Sequence, residues 1–167
     1  MYYGSADEFK QYLTARNRQV SDNWSDEDIE AALLVASEWL DNQYEDSWIG
    51  YKNTYEQERS WPRQLALVRT FPYYTYQNDE IPIEVNYATY EAADRHLANP
   101  GCLQTDYTPK PYNSVSIYNA VTVDYITGTS AGDVQVQIPA IQGLMSKLLD
   151  PEKAGQGNSL YGKAVRA

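Results

Sequence analysis

At 167 residues the chain suits one domain with a real core, since a chain of that length buries about 70% of its unfolded surface. Apolar residues make up 43%, mean hydropathy is −0.63, and 23 acids against 13 Lys and Arg leave a formal charge of −10. That balance argues against the basic face with which nucleic-acid binders neutralise phosphates, the lone Cys102 excludes an intrachain disulfide and fits a reducing cytosol, and no run approaches the ~20 apolar residues of a membrane span.

In chain order, Met1 to Glu8 holds neither a basic nor an apolar region, so no signal peptide is expected. Ser5-Ala6-Asp7-Glu8 forms a capping-box pattern, with Ser5 accepting from the Glu8 amide while the Glu8 carboxylate reaches back. It predicts a helix over about residues 6–16 that turns Phe9, Tyr12 and Leu13 to one face. Ser25-Asp26-Glu27-Asp28 opens a second helix over about residues 26–43, with Ile29, Ala32, Leu33, Ala36, Trp39 and Leu40 as its apolar stripe. Nine acids and no Lys or Arg fall between Ser21 and Gly50, and they read as a solvated face.

Residues 44–80 lack a sustained period, and Pro62 and Pro72 limit helix there, so the segment reads as a functional loop with short extended pieces. Ile81-Pro82 begins a third helix over about residues 82–98, with Val85, Ala88, Ala92, Ala93 and Leu97 buried; three alanines predict close approach to another helix. A hairpin is expected over about residues 115–138. Its strands would be Val115–Ile126 and Asp133–Ile138, joined by a loop at Gly128–Gly132. Pro139 starts a last helix over about residues 139–149, ended by Asp150-Pro151. The fold class is thus mainly α with a small β-hairpin: a helical bundle over residues 1–150 and an extended C-terminal tail over 151–167, where three glycines and little apolar content leave nothing to pack.

Reactive groups are scarce. One His (His96) and one Cys (Cys102) cannot by themselves make a structural zinc site, and no phosphate-loop or dinucleotide fingerprint is present. His96, near a helix end, is expected to bond to a carbonyl or to solvent. Neither catalytic residues, a cofactor nor a metal is expected. Aromatics interleaved with bases occur in the middle loop, where Lys52, Arg59, Arg63 and Arg69 accompany Tyr51, Tyr55, Trp61 and Phe71. Such a set stacks and neutralises single-stranded nucleotides. The bland alternative has Trp61 and Phe71 pinning the loop to the helices while the arginines pair with nearby acids.

The order of elements resembles a known phage family. Its carriers are Tyr3 to Phe9, Ala31 to Asp41, Trp48-Ile49-Gly50, Trp61-Pro62-Arg63, Ile81 to Val85, Val121 to Tyr125, Ile141 to Leu149 and Gly162 to Arg166. Members of that family sit among head and tail genes, and some carry the label DnaT-like single-stranded-DNA-binding protein. The helical pattern is also similar to head–tail connector (head-completion) proteins. The resemblance implies a non-enzymatic virion adaptor of a tailed phage, made in the host cytoplasm and placed at the head–tail interface. It would form a homo-oligomeric ring of twelve between the portal protein and the next tail or nozzle protein. Genomic DNA would pass through the channel without sequence-specific binding, and no membrane would be involved. Portal docking would fall to Tyr161, Lys163, Val165 and Arg166 of the tail. Neighbour contacts would fall to the hairpin and the middle loop, with Trp61, Arg63, Tyr73, Tyr74 and Tyr76 as candidates. The alternative function is single-stranded-DNA binding.

Overall fold

Helix starts follow the capping residues. The computed structural model describes residues 1–69, 72–104, 114–117, 121–124 and 138–150, and for the strands at 114–117 and 121–124 the backbone alone. Helix α1 (Ala6–Ala15) begins behind Ser5, whose Oγ accepts from the Glu8 amide at 3.3 Å. The Glu8 carboxylate does not reach back directly: it accepts from the Tyr90 hydroxyl (2.8 Å), which itself accepts from the Ser5 amide (3.4 Å). A phenol from another helix therefore completes the cap. Helix α2 (Asp26–Tyr44) carries a full capping box, Ser25 Oγ accepting from the Asp28 amide and Asp28 accepting from the Ser25 amide.

The predicted stripe of α2 is the buried one: Ile29, Leu33, Ala36 and Leu40 are fully enclosed. Helix α3 (Ile83–Ala98) lies against α2 and α4 (Pro139–Met145), with Ala88, Ala92 and Ala93 buried as the alanine spacing predicts. Small side chains let helix axes approach closely. Leu97 is only partly buried. Glu91, one position from that alanine pair, is buried as well, which the periodicity does not indicate.

Between α2 and α3 run a 3-10 turn (Glu45–Ser47) and two small antiparallel pairs, β1 (Tyr51–Lys52) with β2 (Arg63–Gln64) and β3 (Leu67–Val68) with β4 (Tyr74–Thr75). Helix α4 is shorter than expected. It ends at Met145, after which the chain turns and runs extended against residues 47–49: Ile49 N donates to Leu148 O (3.0 Å) and Asp150 N to Ser47 O (2.7 Å). Leu148 is still buried, but from a non-helical segment, because these cross-chain bonds replace the next helical turn.

The hairpin also differs from expectation. Strand β5 (Ser114–Ile117) pairs with β6 (Val121–Asp124), so the first predicted strand holds parts of two paired strands. A twelve-residue strand would be long for a small domain, and Asn119 supplies a turn former well before Gly128. The described chain is mainly helical with small hairpins, in line with the expected class. Phe71, the Pro109 to Pro111 link, the predicted strand's residues 133–137 and the whole tail, including Tyr161, Lys163, Val165 and Arg166, lie outside the described residues.

Candidate functional site

Residues 48–80 divide into a part that anchors and a part that projects. Trp61 is 1% exposed and packs edge-on against Trp48 (centroids 5.8 Å apart, 87°) and Tyr76 (5.6 Å, 79°). Its amide donates to the Tyr3 hydroxyl at 3.0 Å, which donates in turn to Asp41 Oδ1 at 2.7 Å. Arg63 is buried with its guanidinium spread over three carbonyls: Ile49 (2.8 Å), Gly50 (2.8 Å) and Ser60 (3.2 Å). Burial lowers its pKa from the ordinary value. Arg59, also buried, donates to the Met1 carbonyl and pairs with Glu38 (3.5 Å), Asp41 (3.6 Å) and Glu58 (3.5 Å). These three residues hold the segment to the helices.

What projects is aromatic. Tyr51 is 63% exposed, Tyr55 101%, Tyr73 71% and Tyr74 49%, and Leu65 and Leu67 are exposed beside them. The two hairpins bearing these side chains are tied together. Asn53 Nδ2 donates to Asn78 O at 2.5 Å, while Tyr76 N donates to Ala66 O at 3.1 Å within the second hairpin. Gly50, at φ +69, lets Gln64 and Ala66 pass so close that a Cβ would stand 2.5 Å from the Gln64 carbonyl oxygen. Tyr74 is braced from behind, its ring 4.9 Å from Tyr76 at 87° and its hydroxyl donating to Glu80. Between Glu45 and Tyr55 opens a cleft of about 410 Å³, with Lys52 and Asn53 on its walls. Lys52 Nζ is 3.5 Å from Glu45, and Arg69 is 4.0 Å from Asp150. The Lys52 pair is long and partly solvated, so that cation can exchange partners.

Of the predicted contact residues, Tyr73 and Tyr74 are exposed, Tyr76 is half-buried, and Trp61 and Arg63 are interior. Sequence reasoning did not single out Leu65, an exposed leucine at φ +55, or the stack of Arg16 on Tyr12 between α1 and α3. No spacing rule marks Leu65, whereas Tyr12 and Arg16 stand four apart on α1, a spacing that puts them on one face. Asp41, counted among the solvated acids, is mostly enclosed, and burial raises its pKa. His96 Nδ1 is buried and has no hydrogen-bond partner among the described residues.

Compared with known families, the sequence matches the model described as "Putative DnaT-like ssDNA binding protein" over residues 2–167. The chain belongs to this family. No curated protein and no solved structure matched. Membership corrects the connector expectation: the family description is that of an ssDNA-binding protein, so the adaptor reading and the virion terms that came with it are withdrawn. The physical reason lies in the residues that carried the likeness. Most of the Ala31 to Asp41 run, Trp61, Arg63, Pro82 and Val85 are core or anchoring positions, which specify how a small bundle packs and are silent about its partner.

Proposed function

We propose that the chain binds single-stranded DNA through the tyrosine face of residues 51–76, with no catalytic step. One observation carries the reading: four tyrosines are held out from two hairpins whose bases are fixed in the core. Tyr74, braced by Tyr76 and Glu80, loses little freedom on stacking a base, and every base has a face to offer. The family description supports the same reading. With a charge of −10, affinity rests on stacking more than on phosphate neutralisation.

Fluorescence anisotropy with a labelled mixed-sequence oligonucleotide tests this. The expected salt dependence is shallow, a log–log slope of about −0.7 if Lys52 neutralises one phosphate. Tyr55→Ala and Tyr74→Ala should each weaken binding by about 1–3 kcal/mol while leaving the melting temperature in place. Binding weaker than about 1 mM at low salt, or affinity indifferent to both substitutions, would sink the reading.

A second reading rests on Leu65 and Leu67. Exposed leucines contribute no hydrogen bond to a base and suit contact with another copy of the chain. Sedimentation of the wild type against Leu65→Ser checks for self-association.

A further inference from the structure

A groove of about 320 Å³ runs between α1 and α3, and no residue of the tyrosine-bearing hairpins lines it. Its walls include Glu8, Tyr12 and Arg16 from α1 and Asn86, Tyr87 and Tyr90 from α3. The volume lies within the range of small-ligand sites. The Arg16 guanidinium lies 3.5 Å above the Tyr12 ring and 5.3 Å from that of Tyr87.

Three polar groups in this groove keep bonding capacity that no other described residue takes up. Arg16 has one long hydrogen bond, to the Tyr12 carbonyl at 3.4 Å, and makes no ion pair among the described residues. Lys10, Arg18, Lys52, Arg59 and Arg95 each have a carboxylate. The Asn86 amide makes no hydrogen bond among the described residues, and its Oδ1 is buried. Glu8 uses Oε2 to accept from Tyr90 and leaves Oε1 open. Glu8 and Arg16 are exposed and bond to water when the groove is empty, whereas the buried Asn86 Oδ1 is an acceptor without a donor, which costs free energy unless a ligand completes it.

The missing partner must be flat, to lie on a guanidinium already stacked on a ring. It must carry an anion for the outward N–H groups of Arg16 and an N–H donor for Glu8. We propose that the groove holds one nucleotide of a DNA strand. The base lies over the open face of Arg16 against Tyr87, its exocyclic amino group donates to Glu8, its edge meets Asn86, and the adjoining phosphate sits on the Arg16 edge. Cytosine, adenine and guanine carry such an amino group and thymine does not, so the groove favours the first three. For the strand as the nucleotide's source, the proposal rests on the single-strand reading above; the groove chemistry stands apart from it.

The test is a nuclear magnetic resonance titration of the full chain with dCMP, dTMP or inorganic phosphate. The expected result is movement of the Arg16 Nε and Asn86 side-chain signals with dCMP. The response should be smaller with dTMP, and phosphate alone should leave Asn86 unmoved. Arg16→Ala should weaken dCMP binding about fivefold or more, and Arg16→Lys, which keeps the charge but loses the flat face, should fall between. No movement at about 10 mM dCMP, equal responses to phosphate alone, or an indifferent Arg16→Ala would overturn the proposal. An oligo-dC assay separates the two sites. Loss with Arg16→Ala but not with Tyr55→Ala supports the groove against the hairpin reading. The converse overturns the groove and keeps the hairpins, and loss with both supports both.

Discussion

Two side chains show how much a single position decides. Trp61 fills the junction between the N-terminal strap, the start of β2 and the Trp48 ring. Trp61→Ala should cost about 3–4 kcal/mol in chemical denaturation, the lower part of the range for such truncations, because the indole N–H has no partner to lose. An unchanged midpoint would place Trp61 outside the core. Glu91 is the second case. It accepts from Tyr12 (3.0 Å), Arg95 (2.7 Å) and Arg18 (3.2 Å). Burial alone would raise its pKa, but the bonds from Arg95, Arg18 and Tyr12 outweigh that and hold it below the ordinary 4.5. A lowered folded value means the stabilisation is complete above about pH 4.5 and is lost as pH falls through the lowered value. Glu91→Gln should therefore destabilise at neutral pH by about 2 kcal/mol and much less in acid. This is under the usual cost of breaking a buried pair because Arg18 and Arg95 keep one side in water. Equal losses at both pH values would refute the assignment.

Among the elements, the paired hairpins depend on one glycine. At Gly50 the chain adopts φ +69 while Ala66 crosses close by, so an added Cβ would meet Ala66 Cα at 2.9 Å as well as the Gln64 carbonyl. Both contacts are backbone, which cannot swing aside. Gly50→Ala should cost about 2 kcal/mol or more, a drop of several degrees in melting temperature, and should weaken oligonucleotide binding by shifting Tyr51. A variant that melts and binds like the wild type would show that the hairpins are not spaced this way. The helices were legible in advance because their caps and apolar stripes are local: Ser25 with Asp28, and Ile29 through Leu40, follow from spacing alone. The four short strands were not, since two-residue pairs such as Leu67 with Thr75 have no period to read and are set by what they pack on.

Across the whole molecule, phenol hydroxyls act as cross-links between distant segments. Tyr3 reaches Asp41, Tyr12 reaches Glu91, Tyr90 reaches Glu8 and Tyr76 reaches Glu84. Burial, together with these carboxylates, raises all four above the ordinary 10.0, Tyr12 and Tyr76 to about 12. An acid whose folded pKa is raised gives stability that is intact below its unfolded value and lost as pH rises beyond it. The fold should therefore hold to about pH 10 and weaken steeply between 10 and 12. Phenolate absorbance from the buried set should rise only above pH 10, together with unfolding. A single step at the ordinary value, with the helical signal intact, would contradict this.

The sequence alone determined the helix starts, the buried stripe of α2, the alanine approach of α3 and the scarcity of reactive groups, because each follows from short-range spacing or from composition. Tertiary structure alone decided which aromatics and bases became anchors and which stayed outside. Trp61, Arg59 and Arg63 were drawn into the core, while Tyr55 and Tyr74 were left projecting. It also brought Tyr87 of α3 to the Arg16–Tyr12 stack of α1, since contacts between residues far apart in the chain depend on how helices pack, and no local pattern encodes that.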